Sequence, residues 1–111
     1  MSKHFDLSGR VAVITGGARG IGLAAAQRMA DAGADIAVVD RDADATAAAV
    51  RDIEARGRRA LGCPIELTDE QAVAAMTDEV VEKLGGYHIL VCAAAIVGRN
   101  AYAWETTAEE W

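Results

Sequence analysis

The amino-acid sequence predicts an α/β protein, with a parallel sheet of strand order 3-2-1-4 between two layers of helices. Three observations support this prediction. Strand-length apolar runs alternate with helix-length segments rich in alanine. The runs are apolar throughout rather than at every second residue, which is typical of parallel strands covered on both faces. A glycine-dense turn joins the first run to the first helix, as in the first half of a strand–helix–strand unit.

The first strand and the first helix lie on either side of this turn. Residues 11–14 are predicted as a buried strand, and the alanine-rich residues 21–32 as a helix. Between them, Gly16, Gly20 and Gly22 have the spacing G-x-x-x-G-x-G. Gly16 would let the chain turn off the strand, Gly20 would let backbone N–H groups approach a pyrophosphate, and Gly22 would let the helix pack closely on the strand. The amino end of the helix would direct its N–H groups and its dipole at the phosphates.

The second predicted strand, residues 35–39, strengthens the interpretation as a dinucleotide site. Asp40 follows it, about 20 residues past the glycines, at the carboxyl end where open α/β sheets bind ligands. A strand-to-helix turn without a ligand is the alternative, but this Rossmann-type three-layer αβα arrangement favours a dinucleotide.

Two kinds of charge bear on the choice between NAD and NADP. The Asp40 carboxylate can accept hydrogen bonds from both adenosine ribose hydroxyls and would repel a 2′-phosphate, so NAD is favoured over NADP. Arg41 argues against this preference for NAD if it binds a 2′-phosphate or stacks on adenine. If Arg41 faces solvent, it has no bearing on the choice of cofactor. For Arg19, contact with a phosphate and exposure to solvent are both left open.

The remaining elements follow in order along the chain. They are a helix over residues 42–56, a strand over 59–63, a helix over 70–84 and a strand over 89–93. Gly62 and Pro64 predict that the third strand is short or lies at an edge of the sheet. A further helix start is predicted at residues 106–107. The chain is therefore interpreted as one dinucleotide-binding domain over residues 1–111 that stops at the start of this helix.

Composition and charge restrict the class of protein. The chain has 111 residues, of which 52% are hydrophobic and 25% charged, which is typical of one small globular domain. A net charge of −6 argues against non-specific nucleic-acid binding. No apolar run is long enough to span a bilayer, and the first residues lack the apolar core of a signal peptide. No membrane partner and a cytoplasmic location are therefore expected.

The two cysteines, Cys63 and Cys92, are not expected to bind a metal or each other. They form no C-x-x-C pair, and the chain has only two histidines. With strand order 3-2-1-4 they lie on strands three spacings apart, which at about 4.8 Å per spacing is roughly 14 Å and beyond disulfide reach. Both are expected to be small core residues.

Several segments together resemble the short-chain dehydrogenase/reductase superfamily. Residues 15–22, Thr-Gly-Gly-Ala-Arg-Gly-Ile-Gly, resemble its Thr-Gly-x-x-x-Gly-x-Gly cofactor motif, and Asp40 resembles its NAD-selecting acid. Residues 66–69 are similar to its Asp-Val-Thr-Asp segment near the adenine. Residues 89–95 align with its Ile-Leu-Val-Asn-Asn-Ala-Gly motif, and residues 109–111 are similar to the start of its next helix. The resemblance implies a cofactor-binding set of Gly16, Ala18, Arg19, Gly20, Ile21, Gly22, Asp40, Arg41, Glu66, Leu67, Ala93, Ala94 and Ala95.

Two departures from the family pattern concern the pocket and the chemistry. Cys92 and Ala93 stand where the family has asparagines and cannot donate amide hydrogen bonds, whereas backbone contacts from Ala94 do not need its side chain. The family's chemistry uses a tyrosine with a lysine four residues later, which lowers the pKa of the phenol. Neither Tyr87 nor Tyr102 is followed by a lysine at that spacing, so no catalytic residue is assigned.

The resemblance implies an NAD(P)-dependent oxidoreductase acting on an alcohol or carbonyl substrate. This chain would be its NAD-binding amino-terminal part, with an incomplete second half. It would bind the dinucleotide, be inactive alone, and meet a small substrate only with the second half present. A non-catalytic nucleotide-binding module is one alternative. A self-associating module is another, because residues 88–97 would present an unpaired apolar strand edge, and a homo-oligomer is therefore expected.

Overall fold

A computed structural model of the protein describes residues 6–94, in which strands and helices alternate along the chain. The elements are β1 (Val11–Thr15), α1 (Gly20–Asp31), β2 (Asp35–Val39), α2 (Ala43–Ala55), β3 (Ala60–Cys63), α3 (Glu70–Leu84) and β4 (Ile89–Cys92). Each predicted boundary agrees with the structure to within one residue. The helix start predicted at residues 106–107 lies outside the described residues.

The four strands form one parallel sheet of order β3-β2-β1-β4, which confirms the predicted order. In the register of the sheet, Thr15 lies opposite Val39 on one side and opposite Cys92 on the other. The carboxyl ends of β2, β1 and β4 therefore lie side by side at one edge. β3 is four residues long and lies at the rim, as its glycine and the proline after it predicted.

Helices cover both faces of the sheet, so the predicted three layers are confirmed. On one face, side chains of β1 and β2 pack against α1 and α2 through a cluster that includes Ala12, Ile14, Ala26, Ile36, Val38 and Ile53. On the other face, the alternate side chains of the same strands pack against α3 through Val11, Val13, Ala37, Val39, Met76, Val80 and Leu84. Every residue of β1 and β2 is buried, which explains why their sequences are apolar at consecutive positions.

β4 is less covered than its sequence suggests. Ile89 and Val91 pack against the cluster under α1, whereas Leu90 and Cys92 point to the other face and are exposed, with 53% of the Leu90 side chain accessible. Placing both cysteines in the core was therefore wrong for Cys92, because among the described residues no helix covers that face of β4. Cys63 is buried, and burial, with a smaller contribution from Glu79, raises the pKa of its thiol to about 11.

A cluster of charged side chains lies at the opposite, amino-terminal edge of the sheet. The buried Asp35 carboxylate accepts hydrogen bonds from the Arg58 side chain (2.9 Å) and from Nε (3.0 Å), Nη2 (2.7 Å) and the backbone N–H (3.2 Å) of Arg59. Arg59 Nη2 also donates to the carbonyl of Leu84, the last residue of α3. Burial raises the pKa of Asp35, but the hydrogen bonds from both arginines outweigh it and hold the pKa below its usual value. The Asp35 carboxylate thus links β2 to the residues before β3, and through Arg59 it also links β2 to the end of α3.

In the part of the chain that the structure describes, no helix is both long enough and apolar enough to cross a bilayer.

Candidate functional site

The turn between β1 and α1 lies at the carboxyl edge of the sheet and has a backbone that favours glycine. Gly16 and Gly20 have φ values of 66° and 58°, in the left-handed region. The Gly16 N–H donates to the carbonyl of Val39 (2.7 Å), which ties the turn to the end of β2. A Cβ added at Gly20 would meet no atom within 4 Å, so the space beside this residue is open.

Two further glycines allow backbone segments of the turn to lie in contact. A Cβ on Gly22 would lie 2.1 Å from the carbonyl oxygen of Gly16, so the first turn of α1 folds directly onto the end of β1. This agrees with the close packing predicted for Gly22 and identifies the contacting atom as backbone. A Cβ on Gly17 would lie 2.7 Å from the carbonyl oxygen of Ile14. Sequence reasoning did not single out Gly17, although its place beside Gly16 in an uninterrupted glycine pair was a visible signal.

The segment that follows β4 contacts the same turn. A Cβ on Gly16 would lie 2.6 Å from the backbone nitrogen of Ala94, and the Ala93 N–H donates to the carbonyl of Thr15 (3.0 Å). Both contacts use backbone atoms. The approach of this segment to the turn therefore does not depend on the asparagine side chains that Cys92 and Ala93 lack. Ala95, the last of the predicted binding residues, lies outside the described residues.

Asp40 is fixed beside the glycine turn. Its Oδ2 accepts a hydrogen bond from the Ala18 N–H (3.4 Å), and its Oδ1 accepts one from the Asp42 N–H (3.1 Å). Its own N–H donates to the carbonyl of Cys63 at the end of β3 (3.2 Å). The carboxylate is half-buried, and it stands between the turn and the start of α2 with its orientation set by two backbone donors.

The start of α1 has the features of an anion-binding helix terminus. Its N-cap residue, Arg19, provides no side-chain acceptor for the first N–H groups, and its first turn contains no acidic residue. Ile21, in that turn, is exposed. The partial positive charge of the helix end is therefore not offset by a carboxylate in its own first turn, which suits a phosphate group.

The Arg19 side chain is 65% exposed, as in the solvent-facing alternative left open by the sequence, and it is also paired. Its guanidinium forms an ion pair with Asp42, the N-cap residue of α2, whose other oxygen accepts the Ala45 N–H (3.0 Å). The Ala45 hydrogen bond, and next the one from Arg19, hold the pKa of Asp42 below its usual value, so the carboxylate is charged at neutral pH. Asp42 was seen in the sequence only as a helix-start residue. Its pairing with Arg19 depends on how two helix starts meet in space.

The other predicted binding residues lie at the same edge without a described hydrogen bond to the turn. Arg41 is exposed next to Asp40. Glu66 and Leu67 are exposed in the loop after β3, where the carbonyl of Glu66 accepts the Asp69 N–H (3.1 Å). The structure thus brings the glycine turn, Asp40 and residues 93–94 into direct contact and places the remaining members around them.

His88, one of the two histidines, has a structural role at the other end of β4. Its Nδ1 accepts the Val11 N–H (2.8 Å), and its backbone N–H donates to the Val11 carbonyl (2.9 Å). Among residues 6–94, no three His, Cys, Asp or Glu side chains are grouped closely enough to hold a metal ion.

Comparisons with known proteins bear on the same residues. A model of the short chain dehydrogenase family matches residues 10–111. A short-chain dehydrogenase/reductase of Armillaria gallica is 41% identical over 107 residues, which cover 93% of this chain and 40% of that protein. The structure of L-sorbose reductase from Gluconobacter frateurii, complexed with NADPH and L-sorbose, has a TM-score of 0.80 at 38% identity and covers 96% of this chain and 41% of that one. Carveol dehydrogenase from Mycobacterium avium, in complex with NAD, has a TM-score of 0.82 at 26% identity, with 95% and 42% covered. The chain spans about two fifths of the length of each of these proteins.

Proposed function

The chain belongs to the short-chain dehydrogenase family, and we propose that it binds the adenosine diphosphate part of a nicotinamide dinucleotide at the carboxyl edge of its sheet. The single observation that carries the proposal is the position of Asp40, fixed by the Ala18 and Asp42 N–H groups beside an open glycine turn. A carboxylate held there can accept hydrogen bonds from ribose hydroxyls while the start of α1 faces the phosphates.

Each predicted binding residue has a part in this proposal. The turn residues Gly16, Ala18, Gly20, Ile21 and Gly22 surround the pyrophosphate, with Gly20 leaving the space that a Cβ would fill. Around the adenosine stand Arg19, Asp40, Arg41, Glu66 and Leu67, and Ala93 and Ala94 line the side of the site nearest β4. Ala95 is proposed as a further binding residue. NAD is the proposed ligand rather than NADP, because the Asp40 carboxylate opposes a 2′-phosphate. Two structural relatives are complexed with NADPH and NAD respectively, so kinship alone does not decide between the two.

The proposed reaction is hydride transfer between the cofactor and an alcohol or carbonyl substrate, with the nicotinamide supplying the hydride acceptor or donor. The 111 residues contain no tyrosine with a lysine four positions later. We therefore propose that they form a single cofactor-binding domain that is inactive alone, and that substrate chemistry needs further polypeptide. A cytoplasmic location is proposed with it, because Cys63 and Cys92 are both free thiols, which fits a reducing compartment.

Calorimetric titration of NAD into the chain tests the binding proposal, with a matched pair of glycine variants. Gly20 and Gly57 both have left-handed φ values (58° and 86°), and a Cβ at either would meet no atom within 4 Å. Gly20→Ala and Gly57→Ala should therefore cost similar conformational strain, about 1 kcal/mol. Only Gly20→Ala places a methyl group where the phosphates approach, so it alone should weaken NAD binding, by tenfold or more. Equal affinity of the two variants, or no binding by the folded wild-type chain, would contradict the proposal.

Self-association is a second candidate function, favoured by the exposed Leu90 and Cys92 on β4, whose outer edge is unpaired among the described residues. A homo-oligomer formed through β4 should dissociate when Leu90 is replaced by lysine. Sedimentation velocity of the wild type and of Leu90→Lys measures this directly, and a wild-type monomer at high protein concentration would refute it. A non-catalytic nucleotide-binding module, the other alternative, predicts NAD binding with no activity after a second-half polypeptide is added.

A further inference from the structure

The ion pair between Arg19 and Asp42 connects the two helix starts that face the proposed adenosine site. Arg19 is the N-cap residue of α1 and Asp42 is the N-cap residue of α2. The two carboxylate oxygens of Asp42 have different partners. One accepts the Ala45 N–H and caps α2, and the other accepts a hydrogen bond from the Arg19 guanidinium. The capping bond holds the carboxylate in place whether or not Arg19 is bound to it.

Asp40 links this pair to the predicted ribose site. Its two oxygens accept the N–H of Asp42 and the N–H of Ala18, the residue just before Arg19. The position of the ribose acceptor and the position of the Arg19–Asp42 pair are therefore set by one hydrogen-bonded network. Arg41, the other cation of this edge, is exposed, and no ion pair joins it to another of the described residues.

We propose that Asp42 is a specificity-determining residue of this site, which excludes a 2′-phosphorylated adenosine by occupying the Arg19 guanidinium. The inference rests on the proposed dinucleotide function. A 2′-phosphate has to be met by a cation, and Arg19 directly follows Ala18, whose N–H donates to the Asp40 carboxylate. With Asp42 present that cation is neutralised. If the phosphate displaces Asp42 from Arg19, the displaced carboxylate stays at the start of α2, held by the Ala45 N–H, and repels the phosphate.

The size of the effect follows from the exposure of the pair. The Arg19 and Asp42 side chains are 65% and 44% exposed, so water and salt weaken their attraction. Loss of such a pair and of one negative charge beside a phosphate should change the ratio of NADP to NAD affinity by about three- to tenfold, rather than by orders of magnitude. Asp40 remains in every variant, so the ratio of NAD affinity to NADP affinity should fall but should still favour NAD.

Asp42→Ser tests the inference, because serine keeps an N-cap oxygen for α2 and removes the charge. Asp31→Ser is the matched control. It makes the same substitution, removes the same charge and breaks another surface pair, Asp31–Arg56 (2.9 Å), at the opposite end of α1. NAD and NADP, which differ only in the 2′-phosphate, are titrated into each full chain by calorimetry. Asp42→Ser should raise NADP affinity relative to NAD by three- to tenfold, and Asp31→Ser should leave the ratio unchanged.

Two double variants show whether Arg19 or Arg41 is responsible for the gain in relative NADP affinity. Arg19→Ala combined with Asp42→Ser should return the ratio close to the wild-type value, whereas Arg41→Ala combined with Asp42→Ser should keep most of the gain. An unchanged ratio in Asp42→Ser, in a chain that binds NAD, would overturn this inference and leave the proposed function standing. A gain that survives Arg19→Ala would also overturn it. If neither dinucleotide binds the folded wild-type chain, the proposed function fails, and this inference fails with it.

Discussion

Replacing Asp35 by alanine is expected to destabilise the fold more than any other single carboxylate substitution among the ion pairs described above. Asp35 is 7% exposed and accepts four hydrogen bonds from Arg58 and Arg59, whereas the other paired carboxylates are at least one-third exposed. Removing it also frees Arg59, which links the end of α3 to the start of β2.

The magnitude can be worked from these contacts. Hydrogen bonds to a charged group contribute about 1.5–3 kcal/mol each, and breaking a fully buried pair costs about 3–5 kcal/mol. The Arg58 and Arg59 side chains, however, are 36% and 61% exposed and regain water when Asp35 is removed. We therefore expect Asp35→Ala to lower the free energy of unfolding by about 2–3 kcal/mol, and the melting temperature by roughly 10–20 °C for a domain of this size. The control Asp31→Ala, which breaks one exposed pair with Arg56, should cost less than about 1 kcal/mol.

Urea unfolding followed by circular dichroism at pH 7 and pH 3 measures both the cost and its pH dependence. The pKa of Asp35 is lowered in the folded state, so its stabilising contribution is present above the unfolded value of about 3.9 and is lost as pH falls through the lower folded pKa. The difference between the wild type and Asp35→Ala should be constant from about pH 5 to 8 and shrink below about pH 4. A difference below 0.5 kcal/mol at pH 7, or one that grows on acidification, would refute the reasoning.

Three further predictions follow from single contacts. Cys92, exposed on β4, should react quickly with a thiol reagent at pH 8, whereas Cys63, whose thiol has a pKa of about 11, should react only after unfolding; two equally fast thiols would contradict this. Gly22→Ala should lower the free energy of unfolding by about 2 kcal/mol or more, because its Cβ would lie 2.1 Å from the Gly16 carbonyl oxygen. Urea unfolding measures this, and an unchanged free energy of unfolding would mean that the turn can open to admit the Cβ. His88→Leu should cost about 1–2 kcal/mol in the same assay, because a backbone N–H at the start of β1 loses its acceptor, and a wild-type midpoint would contradict that.

The fold was predictable because its signals are local. Each strand is a short apolar run and each helix has its own start and stop signals, so the boundaries agree to within one residue. The predicted strand order was that of the doubly wound fold, and the glycine and proline around β3 agreed with a place for this strand at the rim.

The sequence predicted which of these residues meet at the carboxyl edge of the sheet, but not how they contact one another. The spacing of the glycines and the place of Asp40 after β2 identified a common edge, which parallel strands guarantee. The pairing of Arg19 with Asp42 and the contact of Gly16 with Ala94 join positions far apart in the chain, and both depend on how rigid elements pack. The exposure of Cys92 was missed for a related reason. An apolar run shows that a strand is a candidate for burial, but covering each face depends on elements elsewhere in the chain.

The order of strands in the sheet also has a consequence for the way in which the protein is made. β1 lies between β2 and β4, so its first neighbour is synthesised soon after it and its second only when residues 89–92 have been added. Until then, one side of β1 is an unpaired apolar edge, which can pair with another chain. The contact between Gly16 and Ala94 closes only once β4 is in place. The glycine turn is thus synthesised well before β4, the strand that completes the candidate site around it, and such a long-range closure favours slow folding.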